Sequence, residues 1–184
     1  MQTLRLFSYA KINLGLLVLN KRKDGYHNIF SIIQAVELAD QIYLQKISAG
    51  IIIECDLKEV PLGEVNLAYQ AAKIFLEKNE INSGVKIKIK KNIPIAAGLG
   101  GGSSNAAFVL KGLNKLFGLK ISKRKLSQWG EKIGSDVPFF FSTGTAIATG
   151  RGEEVKSIKL PLDYWVVLVK PNFSVSTKWA YTNF

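Results

Sequence analysis

Four glycines within five positions, Gly98, Gly100, Gly101 and Gly102, stand between two segments of different periodicity. Before them, Val85-Lys86-Ile87-Lys88-Ile89-Lys90 alternates apolar and basic residues, the pattern of a half-buried strand. After them, Ala107, Leu110, Leu113 (or Asn114) and Phe117 recur at helical spacing, and Gly118 fits the position just past a helix end. The run between reads Pro94-Ile95-Ala96-Ala97-Gly98-Leu99-Gly100-Gly101-Gly102-Ser103-Ser104-Asn105-Ala106-Ala107. A strand entering a helix through such a turn exposes backbone N–H groups with no side chains to keep an anion away. Ser103 or Ser104 is expected to cap the helix, and either hydroxyl can donate to a bound anion. The plain alternative is a tight turn without a ligand, which the backbone entropy of so many glycines makes a poor explanation.

Two familiar phosphate loops do not fit. A Walker A loop needs a Lys before its Ser or Thr, and none precedes Ser103. A dinucleotide fingerprint needs a third glycine where Ser103 stands.

The rest of the chain supplies strands first and helices later. Residues 4–18 read as a strand interrupted by the polar insertion Ser8-Tyr9-Ala10-Lys11-Ile12-Asn13. Residues 20–25 read as a turn, and 29–38, 41–47 and 50–54 as further strands of an antiparallel layer. Leu67, Ala71, Ile74 and Phe75 then mark one face of a helix over 66–78, and Ser122 opens another that carries Leu126, Trp129 and Ile133 and ends at Gly134. Residues 139–149 and 164–169 read as strands again. Strands and helices mixed without regular alternation predict an α+β fold in one domain.

Composition narrows the function classes. The 184 residues carry a formal net charge of +11, which favours anionic partners such as nucleotides, although a solvated lysine surface gives the same balance. One Cys and one His leave no disulfide framework and no His/Cys metal set. No apolar run has the length of a membrane span and the N-terminus lacks signal-peptide character, so a cytoplasmic protein without a membrane partner is expected.

Three further groups could carry chemistry. Asp136, in Gly134-Ser135-Asp136-Val137-Pro138-Phe139-Phe140, is either a partly buried carboxylate or the cap of a local turn. Lys11 and Asn13 share one face of an otherwise apolar strand, which marks a polar pocket or a sheet edge. Tyr26 offers a face on which a base can stack, beside His27, which is either structural or functional.

Three blocks together, Ala10-Lys11-Ile12-Asn13-Leu14 with Asp24-Gly25-Tyr26-His27, the glycine run, and the Asp136 segment, resemble the GHMP kinase superfamily. Within it, the first block is similar to the branch acting on a cytidine-diphosphate-linked methylerythritol in the non-mevalonate isoprenoid pathway. The resemblance implies an α+β kinase domain like the second domain of ribosomal protein S5. It implies ATP on Pro94 to Ser104 with Mg²⁺ alongside, no metal held by protein ligands alone, and Asn66 near the adenine. Asp136 would be the general base, Lys11 would hold it ionised, and Asn13 would bind the substrate near the reacting hydroxyl. Tyr26 and Tyr181 would sandwich the cytosine, with His27 on its edge. It also implies that residues 1–184 form the N-terminal, ATP-binding domain, and that a C-terminal domain lies outside them. A basic RNA-binding module of the ribosomal-protein type is the competing class, and it leaves the glycine turn without a role. A GHMP kinase for a substrate without cytidine is the third reading, against which Tyr26-His27 stands.

Overall fold

A computed structural model of the chain describes residues 3–160 and 164–171. Six strands form one mixed sheet: β1 (Thr3–Lys21), β2 (His27–Ile47), β3 (Ile51–Cys55), β4 (Gly84–Lys90), β5 (Thr145–Thr149) and β6 (Glu154–Ser157). Three helices, α1 (Leu67–Lys78), α2 (Gly101–Leu116) and α3 (Lys123–Glu131), supply the other layer. The α+β expectation holds.

β1 and β2 form one long antiparallel hairpin. The polar insertion does not interrupt β1; the strand absorbs it with register shifts at Tyr9/Ala10 and Asn13/Gly15, so bulges re-aim side chains without ending the ladder. The two strands expected over 29–38 and 41–47 are likewise one strand. Their boundary is where the far edge of β2 changes partner, from β5 (residues 31–34) to β4 (residues 41–47).

The expected antiparallel layer is corrected at β3, which pairs parallel with β4. The reason is α1, which lies between them in sequence: a parallel pair needs a long crossover, and a helix provides it. Asn66 caps α1, its side chain accepting the Ala68 N–H at 2.8 Å. In β4 the apolar residues Val85, Ile87 and Ile89 are buried while Lys88 and Lys90 face outward. Against the apolar face lie Phe75 of α1 and Leu110 and Leu113 of α2, joined by Trp129 of α3, whose ring meets Phe75 edge-on at 6.1 Å.

Two later strands are also corrected. Residues Pro138–Phe141 form a 3₁₀ turn rather than the start of a strand. Phe139 and Phe140 are both buried, and successive residues of a strand cannot both face one core, whereas a tight helical turn allows it. Residues 164–169 pair with no strand among the described residues, and Trp165, Val167 and Val169 are exposed. No helix among the described residues is long and apolar enough to cross a membrane.

α2 carries one half-buried cation. Lys111 donates to the Phe140 carbonyl and lies over the rings of Phe108 and Phe141. Burial, with the charge of Lys123 adding, pushes its ammonium down to about 8 from an ordinary 10.5. Between these values the unfolded chain binds more protons than the folded one, so this group adds stability as pH rises from about 8 to 10.5. Urea unfolding of wild type and Lys111→Met across that range is expected to show the difference moving in favour of wild type; a pH-independent difference would contradict the assignment.

Candidate functional site

The glycine turn of residues 94–100 alternates hand. Ala96, Gly98 and Gly100 have φ of 53°, 71° and 67°, so every second residue is left-handed. Such alternation points successive N–H groups toward one concave side, the backbone arrangement that accepts anions. At Ala96 it costs strain of about 1 kcal/mol. Gly100 caps α2 without a side-chain hydrogen bond. The helix therefore begins two residues before Ser103, which corrects the serine cap: both serines lie inside the first turn, where Ser104 Oγ donates to the Tyr9 carbonyl at 2.6 Å. Ser103 Oγ instead lies 3.7 Å from where a Cβ on Gly134 would stand.

β1 is fitted to this turn. The Lys11 N–H donates to the Leu99 carbonyl at 3.0 Å, and a Cβ on Gly100 would lie 2.9 Å from Lys11 Cγ. Lys11 is buried, and its ammonium donates to Asn13 Oδ1 at 2.8 Å and pairs with Asp136 Oδ2 at 3.5 Å. Asn13 in turn donates to Ser31 Oγ at 2.7 Å. The bulges of β1 thus face the lysine toward a carboxylate that arrives after α3. Asp136 keeps 37% of its side chain exposed, open to an incoming group.

Beneath the turn lies a polar cluster that the sequence reading does not contain. Asp40 is fully buried at the partner change of β2. Its Oδ1 accepts the N–H groups of Asn92 and Ile93, each at 2.8 Å, and its Oδ2 accepts Lys91 Nζ and Asn105 Nδ2. Asn105 also donates to Ser8. One carboxylate therefore ties the chain entering the turn to the helix leaving it. Lys91 Nζ stands 3.1 Å from the Cβ position of Gly101, beside the first residue of α2.

One cleft of about 1280 Å³ brings most of the candidates together. Lys11, Asn13, Tyr26, His27, Asn66, Asp136, Ser103 and every residue from Pro94 to Gly102 line it. Ser104 does not, being turned inward, and both ends of the Asn66 side chain are engaged, with Ala68 N and the Pro61 carbonyl. Tyr181 and residues 175–177 lie outside the described residues. A second groove of about 690 Å³, between α3 and β6, contains none of the candidates.

Tyr26 is more than half exposed on its turn. Desolvation pushes the Asp24 carboxyl up, but the Tyr26 N–H, Arg22 and Arg151 together outweigh it, so the group titrates below its ordinary value. Arg151, absent from the sequence reading, carries its guanidinium 5.1 Å from the Tyr26 ring centroid. Its position between Gly150 and Gly152 was the available signal: glycines on both sides of an Arg mark a turn that presents it.

The chain's cleft, with a carboxylate and an ammonium beside a glycine turn at a helix N-terminus, has the parts of a phosphoryl-transfer centre. A family profile described as the GHMP kinases N terminal domain matches residues 66–144. A protein of Acetivibrio thermocellus named 4-diphosphocytidyl-2-C-methyl-D-erythritol kinase is 46% identical over 183 residues, all but the whole of this chain. A protein of the same name from Clostridium botulinum is 49% identical over 176 residues, or 96% of the chain. The chain spans 65% and 63% of the lengths of these two relatives. Among solved structures, a 4-(cytidine 5'-diphospho)-2C-methyl-D-erythritol kinase superposes with a TM-score of 0.72 at 39% identity, covering 86% of this chain and 56% of that one. A mevalonate kinase superposes with a TM-score of 0.64 at 18% identity, covering 85% of this chain and 56% of that one, a likeness of fold alone.

Proposed function

We propose that this chain, whose residues 66–144 match the GHMP kinases N terminal domain, is the ATP-binding part of a kinase that phosphorylates the 2-hydroxyl of 4-diphosphocytidyl-2-C-methyl-D-erythritol. The observation that carries the chemistry is the 3.5 Å contact of Lys11 with Asp136 in the same cleft as the glycine turn. The names of the relatives carry the substrate.

In this reading the N–H groups of residues 96–102 and the start of α2 hold the phosphates of ATP, with Asn66 on the adenine side. Asp136 accepts the proton of the substrate hydroxyl as that oxygen bonds to the γ-phosphorus and the bond to ADP breaks. Lys11 offsets the charge that develops there, and Asn13 orients the hydroxyl. Tyr26 stacks on the cytosine, with His27 at its edge. Such a reaction asks of the protein chiefly positioning and charge stabilisation, which these groups supply.

The donor set fits Mg²⁺ in one way. No group of three His, Cys, Asp or Glu among the described residues could hold a metal. Mg²⁺ is commonly held by substrate phosphates and waters with few protein oxygens, so the phosphates on the glycine turn and the Ser103 hydroxyl in the cleft are the oxygens that would hold it. Bound there, it would neutralise phosphate charge.

The test has two parts. Calorimetry on the 184-residue chain is expected to give saturable ATP binding that strengthens with Mg²⁺; a folded chain that binds no ATP would sink the proposal. The chain followed by the remaining residues of the Acetivibrio thermocellus relative is expected to transfer label from radiolabelled ATP to the cytidine compound. Transfer to mevalonate or homoserine instead would keep the kinase and discard the substrate.

A further inference from the structure

The turn between β5 and β6 holds a cation aimed at the cleft. Gly150 and Gly152, with φ of 67° and 113°, flank Arg151. The Gly150 carbonyl accepts the Ile29 N–H at 2.8 Å, which fixes the turn to the start of β2. Glu153 accepts the Arg151 N–H at 2.6 Å and lies 3.4 Å from its Nε. Glu153 therefore holds both the backbone N–H and the Nε side of the guanidinium, while the group lies over Tyr26. Stacking engages the face of a guanidinium and leaves its N–H edge free. Among the described residues, neither terminal nitrogen of Arg151 makes a hydrogen bond.

Its neighbours set what that edge can read. A Cβ on Gly152 would stand 3.8 Å from Asp136 Oδ1, so the turn passes beside the proposed base while the Arg151 side chain reaches the proposed nucleobase platform. A substrate with its reacting hydroxyl at Asp136 and its cytosine at Tyr26 has its ribose and diphosphate in between, and the diphosphate is the only charged part of that span. The other cations of the cleft are less suited. Lys11 is committed to Asn13 and Asp136, and Lys91 to Asp40. Lys21 is an exposed side chain at the end of β1.

Resting on the cytidine-diphosphate reading above, we infer that Arg151 binds the substrate diphosphate and thereby selects nucleoside-diphosphate substrates over nucleosides. The planar fork donates two parallel hydrogen bonds to phosphate oxygens, a geometry that Lys cannot reproduce. In this arrangement Tyr26 takes the base, Arg151 the diphosphate and Asp136 the reacting hydroxyl.

Calorimetric titration of the 184-residue chain, with a non-hydrolysable ATP analogue saturating the glycine turn, tests this. CDP is expected to bind the wild type more tightly than cytidine. Arg151→Ala should weaken CDP by about ten- to a hundredfold, the loss of hydrogen bonds to a charged group. Cytidine and ATP-analogue affinities should stay within about twofold, which a general loss of structure would not allow. Arg151→Lys should restore only part of the CDP affinity. If the wild type binds CDP no better than cytidine, or Arg151→Ala leaves CDP unchanged, the inference is wrong while the cytidine reading stands. If the wild type binds the ATP analogue but neither cytidine compound, the cytidine reading falls and takes the inference with it.

Discussion

In the proposed kinase, with Asp136 as its base, Asp136→Asn is expected to lower phosphoryl transfer by about 10²- to 10⁴-fold, the range that a positioned general base contributes. Asn keeps the shape of the side chain and an oxygen that Lys11 can reach, but it has no carboxylate to take a proton. Lys11 keeps its bond to Asn13, so the ammonium remains anchored in the variant. The loss should therefore fall on kcat and kcat/KM alike, the mark of an interaction made only in the transition state. ATP affinity should stay within about twofold, because the turn is held from β1 and Asp40 rather than from Asp136. Steady-state kinetics of the chain completed by its relative's remaining residues, with calorimetric ATP binding beside them, separate the two effects. Near-normal kcat would remove Asp136 as the base; lost ATP binding would make it part of the nucleotide site.

Asp40→Ala should be the most destabilising single change in the site. It removes the acceptor of two backbone N–H groups and of Asn105, and it leaves the Lys91 ammonium buried without its partner. Breaking a buried ion pair from one side costs about 3–5 kcal/mol. For a chain of this length that corresponds to a fall in Tm of roughly 10 °C. The penalty arises mostly from what is left unpaired, and this gives a sharper comparison. Asp40→Asn combined with Lys91→Met removes both charges while keeping an acceptor for Asn92 and Ile93, and should recover a good part of the loss. Urea unfolding of the singles and the double measures the coupling; strictly additive losses would show that the pair does not act as a unit.

What the sequence reveals of this molecule is what depends on neighbours along the chain. The α1 stripe, the Ser122 cap, the alternation of β4 and the glycine turn are local patterns, and each appears near its expected place. Lys11, Asn13 and Asp136 are legible because unusual residues stand in otherwise apolar settings. Asp40 is not: Ala39-Asp40-Gln41 reads as a break between strands, and its partners lie 51 to 65 residues away. The break reading errs because a polar residue in a strand is judged by its own segment, whereas its cost is set by groups that only the fold brings near. The serine cap fails for a similar reason. Ser104 has the chemistry of a cap, but the Tyr9 carbonyl takes its hydroxyl and the left-handed Gly100 starts the helix instead. The antiparallel layer fails at β3 because pairing direction depends on the crossover that follows, not on the strand itself.

The partner change along β2 bears on how the molecule is made. Synthesis delivers the N-terminus first, so β1 and β2 emerge as a long hairpin whose apolar face is bare. One half of the far edge of β2 waits for β4, and the other waits for β5, whose Thr145 bonds Gln34 across 111 residues. Pairings so distant in sequence form slowly. Lys11 comes from the first strand and Asp136 from the turn just before the last two. The cleft is thus among the last things this chain completes, and no nascent or half-folded form can present the ammonium beside the carboxylate. The proposed chemistry is confined by topology to chains whose last strands have paired.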